Sequence, residues 1–176
     1  MRGSPPTGFQ SGALVALRLL IGWHFLYEGM AKLLNPHWTS AGYLAESQWW
    51  FQDLFIAIAA SPTAVTIVDY LNMWGLTLIG LGLMLGLFTQ WATIAGMAVL
   101  ALYYIAAPPF VGYTYGMPAE GSYLMVNKVL IELAALLVLF AHPTGRTFGL
   151  DRFVARSAAR VTGPRPHVAL EGAHHD

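Results

Sequence analysis

Four long apolar stretches cross this chain, and three of them carry ionisable side chains where a helix facing lipid should have none. The first holds Arg18, Glu28 and Lys32, Asp69 opens the second, and the fourth holds Lys128 and Glu132. A charge at the bilayer centre costs about 2.5 to 3.5 kcal/mol even on lenient insertion scales, so such groups pair, face a bundle interior, or do chemistry. The pattern predicts an all-α fold: a four-transmembrane-helix bundle with a polar interior. Four spans of about 20 residues use about half of the 176 residues and leave no room for a separate soluble domain.

Breakers set the expected boundaries. Residues 1–11 read as an N-terminal tail and the spans as 12–34, 62–88, 90–107 and 123–141. Asn35-Pro36 closes the first, because proline cannot continue the ladder and restricts the residue before it. The apolar run from Gln48 to Ala60 is too short to cross and reads as an outer interfacial or re-entrant helix anchored by Trp49 and Trp50. Ser61-Pro62 supplies an N-cap followed by proline at the first helical position. Gly82 and Gly86 form a small-xxx-small face for close helix approach. Pro108-Pro109 and His142-Pro143 close the last two spans. Beyond them Arg152, Arg156 and Arg160 stand on one stripe among apolar residues, predicting a basic amphipathic helix over 142–162 on an anionic leaflet, then a disordered tail over 163–176. With Arg146 and Arg165, these arginines place the C-terminus in the cytoplasm by the positive-inside rule, and an even number of crossings puts the N-terminus there too. Arg2 ahead of the first stretch imitates a secretory signal, but the length and the charges of that stretch argue against cleavage.

The absence of cysteine excludes a disulfide relay, a thiolate metal site, an iron–sulfur cluster and cysteine-linked haem. His24 lies mid-span while His37 and His142 lie at opposite surfaces, so no haem or metal is expected. There is no nucleotide-phosphate loop, and no nucleic-acid partner is expected. Any redox role needs a borrowed cofactor.

At 1.5 Å rise per residue, Glu28 sits about 7 Å outward of the middle of the first span, and Lys128 enters the fourth at nearly the same depth. They form one expected pair, and Lys32 with Asp69 a second. Glu132 falls near mid-membrane, one turn below Lys128, with Asn127 beside them. Arg18, in the inner half, either reaches toward Glu132 or snorkels to the headgroups. Two readings stand. The charges are structural ion pairs that fix helix order. Or they line an outward-opening cavity in which Glu28 and Glu132 handle protons while Lys128, Asn127 or His24 donates to a ligand oxygen, as a quinone carbonyl requires. The tryptophans and Tyr103-Tyr104 read as interfacial belt residues, with Tyr104 placed to roof such a cavity.

These motifs resemble those of the DoxX/DoxD-type membrane proteins. The matching pieces are Leu17-Arg18, Gly22 and Glu28-Gly29-Met30-Ala31-Lys32, then Asn72-Met73-Trp74-Gly75 leading to Gly86-Leu87-Phe88-Thr89, then Tyr103-Tyr104 with Pro108-Pro109, Glu120-Gly121-Ser122-Tyr123, Asn127-Lys128, Glu132 and Phe148-Gly149-Leu150-Asp151. The resemblance covers roughly residues 14–152. It implies a four-helix bundle in a bacterial or archaeal cytoplasmic membrane, similar to the membrane subunit of a thiosulfate:quinone oxidoreductase or to subunits of membrane redox assemblies. It also implies partner redox subunits, and it marks Arg18, Glu28, Lys32, Lys128 and Glu132 as residues that matter. Lipid contact is expected throughout, and a homo-oligomer is compatible with the pattern. Alternatives from other classes are a non-catalytic scaffold subunit of a larger respiratory or photosynthetic complex and a small-molecule transporter, the latter disfavoured by the lack of inverted repeats.

Overall fold

The computed structural model describes residues 7–116, 124–145 and 149–152, and every described element is helical or irregular. Its elements are α1 (Gly8–Leu34), α2 (Ala41–Ala45), α3 (Gln52–Ala59), α4 (Pro62–Leu85), α5 (Thr89–Ala106) and α6 (Lys128–Ala141). Helices α1, α4 and α5 are long and apolar enough to cross a membrane. The fourth, α6, has 14 residues and is about 21 Å long, shorter than the roughly 30 Å of hydrocarbon. The expected start at Tyr123 lies outside the described residues. The helix begins at Lys128 because Asn127 takes an extended backbone and its side chain accepts from the Leu130 N–H at 3.0 Å. The basic helix over 142–162 and the tail lie largely outside the described residues as well.

Local chemistry fixes the other ends. A reciprocal capping box of Thr7 and Gln10 starts α1 four residues earlier than the apolar pattern alone indicates, and Asn35 ends it. Ser61 caps α4, with Pro62 at its first position. At the other end Gly86 takes φ +64, which stops α4 at Leu85 rather than Phe88, and α5 starts at Thr89.

The four long helices form a ring in which α1 packs on α4, α4 on α5, α5 on α6, and α6 again on α1. Lipid offers no hydrophobic drive between helices, so cohesion comes from close packing. The α1–α4 pair is the tightest: a Cβ on Gly80 would collide with the backbone of Leu26, and one on Gly29 with Thr77. Gly96 marks the bundle centre, where Phe25 of α1, Ile79 of α4 and Leu136 of α6 close around α5. Leu83 and Leu136 are completely buried there. A smaller cluster of Leu44, Phe55 and Ala106 seats α2 and α3 on one end of the bundle, the loop end. Helix α3 buries only Phe55 and exposes Leu54 and Ile56, as a helix lying in an interface would.

Candidate functional site

Three polar side chains of α1 fall on one stripe, His24, Glu28 and Lys32, each one turn from the next. Ile21 is the midpoint of the helix, so His24 lies about 4.5 Å and Glu28 about 10.5 Å from its centre, both inside a hydrocarbon half-thickness of about 15 Å. His24 reaches across to α6, where its Nδ1 lies 2.8 Å and 3.0 Å from the two carboxylate oxygens of Glu132. A carboxylate only accepts, so with Glu132 ionised Nδ1 carries the proton and donates. Glu132 is 12% exposed, but His24 stays 43% and Glu28 47% exposed. His24 therefore marks a seam between α1 and α6 at membrane depth, with Glu28 exposed one turn away on α1. Glu28 and Lys128 lie within electrostatic range of His24.

Glu28 pairs along its own helix with Lys32, at 3.4 Å, rather than across the bundle with Lys128. The α6 helix starts at Lys128, so that side chain stands on the first turn of the helix, next to its Asn127 cap. The Lys32 ammonium is 15% exposed and lies over the rings of Trp38 (5.3 Å) and Tyr103 (5.8 Å), within cation–π range. Asp69 is not its partner. That carboxylate accepts from the backbone N–H and hydroxyl of Ser40, at 2.8 Å and 2.5 Å, and so ties α4 to the start of α2. The Asn127 carboxamide oxygen is engaged as the α6 cap, leaving its NH₂ group for any ligand.

Arg18 belongs to a different assembly. It is 2% exposed at the opposite end of the bundle, donates to Thr144 Oγ1 at 3.1 Å, and faces the charge of Asp151. Asp151 accepts from the Phe88 N–H at 2.7 Å and the Thr89 N–H at 3.1 Å, capping α5. Its own N–H donates to Gly86 O at 2.9 Å, and Leu150 N–H donates to Leu85 O at 3.2 Å. Residues 149–152 thus lie against the α4–α5 turn and form a latch. A Cβ on Gly86 would sit 2.7 Å from Gly149 Cα and 3.2 Å from an Arg18 terminal nitrogen, so this position needs glycine for its space as well as for its φ.

Sequence reasoning brought His24 and Glu132 near one another in depth without pairing them. It paired Lys32 with Asp69, which Ser40 engages instead, and left Arg18 between Glu132 and the headgroups rather than beside Thr144. It read Tyr103 as a belt residue, whereas its hydroxyl accepts from Asn72 Nδ2 at 2.6 Å between α4 and α5. Asn72 two residues before Trp74 was the available signal, a carboxamide near the middle of a span. Tyr104 donates to the Met125 carbonyl at 2.7 Å, holding the segment ahead of α6 against α5. Among the described residues no three His, Asp or Glu side chains converge as a metal site requires.

No curated protein and no solved structure matches the chain. The DoxX family profile matches residues 13–109, more than half of the sequence. That stretch covers α1 to α5 and thus Arg18, His24, Glu28, Lys32, Asp69, Asn72 and Tyr103, while Glu132 and the latch lie beyond it. The α1 polar stripe and the glycine-packed α1–α4 pair both fall inside the matched stretch, and the chain belongs to the DoxX family, as a small protein with membrane-spanning helices.

Proposed function

We propose that this chain is a small integral subunit of a quinone-linked redox complex of the thiosulfate:quinone oxidoreductase type, and that the α1–α6 seam takes the carbonyl head of the quinone. The observation that carries this is the His24–Glu132 contact at mid-membrane depth, in a seam where His24 remains nearly half exposed, with Glu28 exposed one turn away on α1. Groups so placed must meet something polar, and a molecule dissolved in the bilayer reaches them sideways. The donor set fits: as an imidazolium, His24 holds Glu132 through Nδ1 and has Nε2–H to give to a carbonyl oxygen, while Lys128 and the Asn127 NH₂ group flank the same level. A quinone bound there would take up two electrons, from a partner redox subunit, and two protons. Glu132 orients the ring of His24 and balances its charge, and Glu28 holds the next proton one turn away. The termini are placed in the cytoplasm, a reading supported by the arginines that follow α6, with α6 completing a fourth span together with the residues before it.

The test is purification from the native membrane in mild detergent, followed by mass spectrometry of proteins and small molecules. Stoichiometric quinone with redox subunits is the expected result, and Glu132→Ala should lose the quinone while melting like the parent. A parent chain recovered without quinone would refute the site. One observation favours a second reading, a scaffold with no site of its own: a methyl group added at Gly75 would meet nothing within 4 Å, and Leu71, Trp74 and Leu78 around it are exposed, a face that a partner helix could fill. Partner subunits without quinone would select that reading.

A further inference from the structure

Between α1, α4 and α5 at the loop end lies a polar cluster that the quinone site does not use. Asn72 Nδ2 donates to the Tyr103 hydroxyl, and Asn72 Oδ1 is shielded from solvent with no hydrogen-bond partner among the described residues. Turning the carboxamide over would let Tyr103 donate to Oδ1, but would leave Nδ2 over instead, so one polar atom stays unspent either way. A buried carboxamide atom in this state calls for a small polar guest. In the orientation observed, Tyr103 accepts and still has its own O–H to give. The Lys32 ammonium rests over the same ring, and Tyr43 donates to the Tyr103 carbonyl at 2.8 Å, which holds this turn of α5 in place. One acceptor and two donors around one ring meet the two to four partners that a buried water requires.

The cluster also has a direction. Lys32 pairs with Glu28, Glu28 lies within electrostatic range of both Tyr103 and His24, and His24 bonds Glu132. Asp69, the other nearby carboxylate, is engaged by Ser40 and stands apart from this line. Lys128 flanks its far end. We propose that Asn72, Tyr103 and Lys32 form a water-binding subsite that carries protons between the aqueous face at the loop end and Glu28. This rests on the reading of the seam as a proton-handling site. A proton leaving outer water passes along the water held by Asn72 and Tyr103 to the Lys32–Glu28 pair and protonates the Glu28 carboxylate. The reverse order returns it, and no electron moves.

The experiment follows Glu28 directly. The purified chain in liposomes is given a rapid pH jump, and the infrared carboxyl signal that Glu28→Gln removes is followed in time. Tyr103→Phe keeps the ring beneath Lys32 and deletes only the hydroxyl, and Asn72→Leu keeps the volume and deletes the carboxamide. Both should slow the signal by about tenfold or more, since a positioned proton relay commonly supplies a factor of that size or larger. Unchanged rates in folded Tyr103→Phe would overturn the path. If Asn72→Leu fails to fold, Tyr103→Phe alone decides. Quinone recovered with the same variants separates the two ideas. Retained quinone with an unchanged rate sinks the path and leaves the quinone site, whereas protonation slowed in the variants of a parent chain that never holds quinone sinks the quinone site and upholds the path.

Discussion

Replacing Asp151 with alanine tests how much of the bundle depends on the latch. The substitution deletes the acceptors of the Phe88 and Thr89 N–H groups and the charge that faces Arg18, which is 2% exposed. Loss of a helix cap costs about 0.5–2 kcal/mol. Arg18 and Asp151 face one another without a close ion pair and the carboxylate is partly exposed, so loss of the facing charge adds about 1 kcal/mol. The two losses share one carboxylate and do not add in full, so the expected cost is about 1–3 kcal/mol. For a chain of this size that is a fall in melting temperature of about 2–12 °C, at about 2–4 °C per kcal/mol. Asp151→Asn keeps one acceptor and should cost about half as much. The assay is thermal and SDS unfolding in mild detergent of the parent, Asp151→Ala, Arg18→Met and the double variant. If the charges act as a pair, the double variant should be less destabilised than the two single losses together by about 1 kcal/mol or more. A loss below about 1 kcal/mol for Asp151→Ala, or strict additivity, would refute the reasoning.

Gly80→Ala should destabilise by about 1–3 kcal/mol by forcing α1 from α4, whereas Gly75→Ala should change stability by less than about 1 kcal/mol in the isolated chain, both read from the same unfolding curves. If Gly75 seats a partner helix, Gly75→Leu should lose that partner on purification while the isolated chain still melts normally. Glu132→Gln removes the charge opposite His24 and should reduce quinone-dependent turnover with the bundle intact; turnover at the parent level would count against the seam. Tyr43, in α2, has its ionisation pushed well above the ordinary tyrosine range, chiefly by burial and further by Tyr103 and Tyr115. The folded state therefore holds this proton more tightly than the unfolded one, and its contribution is full below about pH 10 and is lost as pH rises toward the elevated value. Alkaline unfolding should accordingly begin at the loop end, and Tyr43→Phe should flatten that dependence in a melting series across pH.

The helices of the bundle were legible wherever a local signal decides them. Ser61-Pro62 and Asn35-Pro36 act within one turn of the backbone, and the chain obeys them, whereas Gly86, read as part of a packing face inside the span, is the residue that ends α4. The partners of the charged groups were not legible, because depth alone leaves rotation about each helix axis undetermined. Glu28 and Lys128 share a level, yet Lys32 is closer to Glu28 through four residues of its own helix. Asp69 seemed available to Lys32 only while the turn at Ser40 was unknown. Arg18 could not be assigned to Thr144 and Asp151 from spacing, since both lie beyond α6, in the stretch whose pattern reads as a basic helix on the membrane surface. His24 was undervalued because a single histidine in an apolar span usually means little. Its meaning came from Glu132, 108 residues away.

The latch imposes an order on how the protein is made. The turn at Gly86 and Phe88, where Phe88 itself takes a left-handed φ of +49, is complete in sequence about 60 residues before the carboxylate that caps it. At synthesis rates of about 5–20 residues per second, the α4–α5 hairpin waits about 3–12 seconds with the N–H groups of Phe88 and Thr89 uncapped and Arg18 without Asp151 opposite. The last described residues therefore close a hairpin that enters the membrane before them. A nascent chain stalled before Gly149 should be cut by protease at this turn, and one released past Arg152 should resist. Equal cleavage of the two would show that the hairpin sets without its clasp.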